Sequence, residues 1–202
     1  MKYLGSISFL LLGLTKALPT DLVPGITFAS SSLSSCDNGT ANTIVKTVDS
    51  ETGSYQMIHT LDNFEPAQEQ EQVQLCLVEY SIGIPSGYRA RANKDGINVT
   101  GYVHLPNAHT SADFTGSYSF ASDPKSVSTS TLLLTGPIDG QFSKWLDPNE
   151  QSRVVKSSCD GDVLKSLYEL KSTSSDLAEM KAVGEPDNKK WVIAGGVEIL
   201  KC

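Results

Sequence analysis

Between Gln72 and Arg89 the chain reads QVQLCLVEYSIGIPSGYR, and this stretch limits the fold more than any other. Val73, Leu75 and Leu77 share one parity, and Cys76, Val78, Tyr80 and Ile82 share the other. Apolar side chains at both parities predict a strand covered on both faces, a central one. Glu79 falls in the first row and interrupts it. Pro85-Ser86-Gly87 then turns the chain back.

Other segments alternate in the same way. Asn42 to Val48 and Tyr55 to Leu61 read as two strands of a hairpin turning near Glu51-Thr52-Gly53, with Tyr55, Met57, His59 and Leu61 on one face. After a turn expected at Lys94-Asp95-Gly96, Ile97, Val99, Val103 and Leu105 point inward. Asn98, Thr100, Tyr102 and His104 point outward. Phe114, Tyr118 and Phe120 mark a further strand. Ser122 to Ser128 reads as a polar loop, Thr129 to Thr135 as a strand, and Thr135 to Gly140 as a tight turn. Phe142 and Trp145 follow, ahead of a loop at Asp147-Pro148-Asn149. Val163 to Leu170 fits either a helix (Val163, Leu167, Leu170) or a strand (Leu164, Tyr168, Leu170). Asp176 to Val183 has helical composition. Trp191 to Leu200 is a last strand with a bulge or kink at Gly195-Gly196. Many short β runs separated by turns predict an all-β chain, an antiparallel β-sandwich of one domain.

Residues 1–17, MKYLGSISFLLLGLTKA, carry an early positive charge, a short apolar run and small residues before a cleavage point. They read as a secretory signal peptide. The apolar run falls well short of the roughly 20 residues that span a bilayer, so no membrane span is expected. Residues 18–35 read as a flexible leader and 36–202 as the sandwich domain. Asn63 to Gln72, rich in glutamate and glutamine around Pro66, reads as a solvated acidic loop. A secreted, extracellular location fits four cysteines, Cys36, Cys76, Cys159 and Cys202, as two disulfides. Their spacing leaves three pairings open and forms no zinc motif. Asn38-Gly39-Thr40 and Asn98-Val99-Thr100 are N-glycosylation triplets.

The formal charge is −7, and becomes −9 once Lys2 and Lys16 leave with residues 1–17. That balance disfavours nucleic acid as a partner. Aromatic residues make up 7% of the chain, too few for an obvious row of rings on which sugars could stack.

The chemistry-bearing residues form no catalytic pattern. His104 and His109 are separated by a proline-containing break, and His59 sits among apolar neighbours. No metal site and no cofactor is expected. A copper oxygenase would need histidine as its first mature residue, whereas cleavage after Ala17 leaves Leu18. There is no GxSxG. Glu79 is the most interesting single acid, because a carboxylate buried on a central strand could serve a carboxylate pair. The bland expectation is an ion pair with Arg89 or Arg91, or a place at the exposed end of the strand. Asp160-Gly161-Asp162 lacks the further acids of a calcium loop.

Several motifs occur together in order: Cys36 with Asn38-Gly39, Gln74-Leu-Cys76-Leu77, Ile84-Pro-Ser-Gly-Tyr88 and Gly101-Tyr102. Tyr118-Ser-Phe120, Thr135-Gly-Pro-Ile-Asp-Gly140, Cys159-Asp-Gly161 and an aromatic strand ending at Cys202 follow. In this the chain resembles the secreted fungal family known as domain of unknown function 4360, over nearly all of the mature sequence. Two features depart from the family pattern: Asp37 follows Cys36 in place of proline, and Trp191 is far from Cys202. The resemblance implies a secreted, disulfide-bonded, β-rich domain and no particular activity.

The sequence therefore favours a non-catalytic, monomeric extracellular protein. Its expected partner is cell-wall polysaccharide or another extracellular protein or host surface, with Tyr102 and Trp145 as binding candidates. A polysaccharide hydrolase built on Glu79 is the alternative.

Overall fold

A computed structural model describes residues 27–28, 33–37, 39–64, 73–152, 154–173 and 190–202. Residues 1–17, expected to be a signal peptide, the triplet residue Asn38 and the segment Asp176 to Val183 lie outside the described residues, as does most of the expected acidic loop.

Among the described residues every regular element is a strand, and the strands form two antiparallel sheets packed as a sandwich. In chain order they are β1 (Thr27–Phe28), β2 (Leu33–Cys36), β3 (Thr40–Asp49), β4 (Ser54–Asp62), β5 (Val73–Gly83) and β6 (Tyr88–Leu105). Then come β7 (Ser111–Phe120), β8 (Asp123–Thr135), β9 (Ile138–Leu146), β10 (Val155–Lys156), β11 (Asp162–Thr173) and β12 (Lys190–Lys201). One sheet runs β5-β11-β7-β8, with β1 and β2 both on the outer edge of β5. The other runs β6-β12-β4-β3, with β9 and β10 both on the free side of β6. Among the described residues only β3-β4 and β7-β8 are sequential hairpins, so most of the pairing is between distant segments.

The sandwich core is built from the inward parities. Ile97, Val99, Val103 and Leu105 are buried, as are Tyr55, Met57, His59 and Leu61. A run of aromatic rings crosses from one sheet to the other. Trp191 meets Phe142, Phe114 and Phe64 at centroid distances of 5.1, 5.5 and 5.9 Å. Phe114 stacks on Tyr168 at 6.2 Å, and Tyr168 meets Tyr118 edge-on at 6.2 Å. Such pairs contribute about 0.5–1.5 kcal/mol each beyond the area they bury.

Several local expectations change. Strand β5 is covered on one face only. Cys76, Val78, Tyr80 and Ile82 are buried, but Leu75 is 38% exposed. The Val73-Leu75-Leu77-Glu79 row lies on the outer face of the sheet, where no further layer of the described residues covers it. The strand in the middle of this sheet is β11, between β5 and β7.

The segment Val163 to Leu170 is strand, with Leu164, Tyr168 and Leu170 buried on one side. Lys94-Asp95-Gly96 does not end a strand. It is a bulge inside the continuous β6, where residues 93–96 face the single residue Gly196 between the Ile97–Gly195 and Ala92–Val197 pairs. Asn93 (φ 51°) and Gly96 (φ 92°) supply the left-handed backbone that lets the extra residues loop out. Strand β8 begins at Asp123, so the expected loop from Ser122 to Ser128 shrinks to a short turn. Sheet pairing also begins ahead of Cys36, because Leu33–Cys36 runs antiparallel to Cys76–Glu79.

The disulfides join Cys36 to Cys76 and Cys159 to Cys202. The first ties β2 to β5, and the second ties the loop before β11 to the end of β12.

Candidate functional site

The outer face of the β6–β9 pair carries the best candidate surface. Antiparallel register sets Asn98 opposite Trp145, Thr100 opposite Ser143, Tyr102 opposite Gln141 and His104 opposite Asp139. The outward parity read from Ile97 to Leu105 therefore continues onto β9. Trp145 is 58% exposed, and its indole Nε1–H donates to Asp147 Oδ1 at 3.3 Å. That bond fixes the ring edge while leaving a broad apolar surface open.

Asp147 also lines an open groove of ≈ 740 Å³, together with Val127, Thr129, Asn149, Glu150, Gln151 and Ser152. The groove forms where the loop after β9 folds onto the edge strand β8. Asn149 N–H donates to Thr129 O at 2.7 Å, and Ser152 Oγ accepts from Thr129 N–H at 2.8 Å. The sequence showed Asp147-Pro148-Asn149 as a loop but not as a groove wall, since no local signal says that it returns to β8.

Tyr102 lies on the same face as Trp145, four residues along β6 from Asn98, or about 13 Å by strand rise. Its hydroxyl donates to Asp139 Oδ1, and His104 Nδ1 is 3.3 Å from the same oxygen. The Tyr102 hydrogen bond, helped by His104, holds the Asp139 carboxyl below its ordinary pKa, and the same bond raises that of the phenol. His109 is exposed, and its backbone N–H donates to Asn107 Oδ1 at 2.9 Å. Among the described residues no group of three or more His, Cys, Asp or Glu is placed to hold a metal ion.

Glu79 is on the outer surface, not in the core. Its carboxylate accepts from Lys165 Nζ at 2.7 Å, its direct partner on β11, and not from Arg89 or Arg91. Arg91 pairs instead with Glu198, which Lys94 also reaches at 3.2 Å. Asp160 and Asp162 are committed to the backbone. Asp160 Oδ1 accepts from Gly87 N–H at 3.1 Å, and Asp162 accepts from Ser158 N–H at 2.9 Å and from the Ser122 hydroxyl. Partial burial pushes the Asp162 pKa up, but these bonds outweigh it and hold the carboxyl below its ordinary value.

His59 lies within the sandwich beside Tyr80 and Tyr168. It lines a small space of ≈ 10 Å³ with Met57, Asn93, Ile97, Tyr118 and Gly195, too small to take a ligand.

A family model described as a domain of unknown function (DUF4360) matches residues 25–181. No curated protein matches the chain. Two solved structures are similar at low level. One is the TmCBM61 module in complex with β-1,4-galactotriose, with 9% identity, TM-score 0.30, and coverage of 86% of this chain and 90% of that one. The other belongs to work on the promiscuous specificity of carbohydrate-binding modules from the β-sandwich superfamily, with 9% identity, TM-score 0.29, and coverage of 84% of this chain and 57% of that one. At these values neither likeness bears on what this chain binds.

Proposed function

For this chain, which belongs to the DUF4360 family, we propose a secreted, non-catalytic protein that binds extracellular polysaccharide through Trp145, Tyr102 and the adjoining groove. The carrying observation is Trp145 itself, an exposed indole whose Nε1–H donates to Asp147, a residue that also lines the groove with Asn149, Glu150 and Gln151. A sugar ring has an apolar C–H face and a polar rim of hydroxyls. A flat exposed indole suits the first, and fixed carboxylate and amide groups suit the second. Because Asp147 already orders the ring, little side-chain freedom is lost on binding.

The hydrolase alternative has less support. Glu79 is paired with Lys165 on an outer sheet face, and the acid that β11 presents on that face, Glu169, lies four residues further along, about 13 Å by strand rise.

The test is retention of the mature protein, made in an oxidising host that adds no N-glycans, on insoluble chitin, β-glucan and cellulose, with an assay for released sugar. Retention without release is expected on at least one of them. Trp145→Ala should weaken it by about tenfold or more, the cost of losing a central aromatic contact. Retention equal to the parent in that variant, or no retention on any polymer, removes the reading and leaves a protein partner.

A further inference from the structure

Asn98, the acceptor position of the triplet Asn98-Val99-Thr100, is the direct register partner of Trp145. Both side chains are on the outer face, and directly opposed Cβ atoms in an antiparallel pair are about 5 Å apart. Asn98 Oδ1 accepts from the Ser143 hydroxyl at 3.3 Å, so its amide leans across toward β9. Neither an acceptor triplet nor an exposed indole is unusual alone. Their pairing across one strand interface is the observation that matters.

We infer that an N-linked glycan on Asn98 lies across β9 and stacks its first sugar on the Trp145 indole, so that the chain covers its own exposed ring. The modification joins Asn98 Nδ2 to C1 of the reducing-end sugar of a lipid-pyrophosphate-linked oligosaccharide. The bond from that carbon to the pyrophosphate oxygen breaks, the amide loses one proton, and the lipid pyrophosphate leaves. Once attached, the sugar is a tethered ligand, present beside the ring at an effective concentration on the order of millimolar. A contact too weak to form between free molecules is then populated. The hydrogen bond from Nε1 to Asp147 keeps the indole in place to receive it.

One consequence rests on the polysaccharide reading above: attached glycan and free polymer compete for the same ring, so occupancy at Asn98 sets how much of the site is open. The stacking itself does not depend on that reading.

The experiment uses the full chain secreted from a eukaryotic host in an Asn38→Gln background, so that Asn98 holds the only remaining triplet, with no polysaccharide added. Glycopeptide mass spectrometry reads occupancy. Acrylamide quenching of tryptophan fluorescence is measured before and after enzymatic glycan removal. Trp191 is buried, so quenching reports on Trp145. Expected are an occupied Asn98, a quenching constant that about doubles on deglycosylation, and faster release of the glycan from Trp145→Ala than from the parent under native conditions. Near-ultraviolet circular dichroism confirms that the variant is folded. An unoccupied Asn98, unchanged quenching or equal release rates would overturn the inference. None of these outcomes alters the retention assay, which uses unglycosylated protein.

Discussion

His59 Nδ1 lies 2.8 Å from the Thr43 hydroxyl, while His59 Nε2 has no hydrogen-bond partner. The ring is 2% exposed, and burial alone lowers its pKa from 6.5 to about 4. The unfolded chain therefore binds a proton here at a pH where the folded chain does not. Stability is full above about pH 6.5 and falls as the pH drops toward 4, by about 3 kcal/mol in all. Below the folded pKa this contribution levels off. Thermal melts between pH 7 and pH 4.5 should show the loss, and His59→Phe should flatten the slope in that window. An unchanged slope in the variant would mean that other groups carry it.

Gly96 has a φ of 92°, and a Cβ built there would sit 2.2 Å from Leu146 O. Gly96→Ala must both strain the backbone and push β6 away from the start of the loop after β9. A loss of about 2 kcal/mol or more is expected, read as a lower urea midpoint at unchanged slope. Gly87, also at positive φ (84°), has nothing within 4 Å of the added carbon. Gly87→Ala should therefore cost less, since only the backbone term remains.

The inward parities of β4, β6 and β7 were legible in the sequence because each alternates over several residues. What parity cannot say is whether a second apolar row is buried or merely exposed. That is why Leu75 and Leu77 suggested a covered strand while the structure leaves them outside. Nor can local sequence distinguish a turn from a bulge, since both use the positive-φ residues found at Asn93 and Gly96. Long-range register is equally silent: Lys165 meets Glu79 only because β11 lies beside β5. Trp145 was visible as a candidate, but the groove that its partner Asp147 lines arises from the meeting of β8 with the loop after β9.

The two disulfides should differ in susceptibility. Cys76 is fully buried, whereas Cys159 and Cys202 are both exposed. Thiolate attack needs access to a sulfur. Mild reduction of the native protein followed by alkylation and mass mapping should label Cys159 and Cys202 first. The sequence separations, 40 and 43, are nearly equal. Removing either bond by paired serine substitution should then cost a similar amount, about 3–4 kcal/mol in the chain-entropy model. Equal labelling of all four cysteines at low reductant would contradict the exposure argument.

Glu79→Gln separates the two functional readings most directly. If Glu79 were half of a catalytic pair, the amide would remove an acid or a nucleophile, and any sugar release would stop. Its position argues otherwise. The carboxylate is partly exposed and has Lys165 at 2.7 Å, so the substitution removes one surface ion pair. Such a pair contributes about 0–1 kcal/mol, and the amide can still accept from Lys165. The variant should melt close to the parent and be retained on polysaccharide as the parent is. Lys165→Met should behave in the same way. Loss of retention in both, with the fold intact, would move the binding surface from the β6–β9 face to the outer face of β5 and β11.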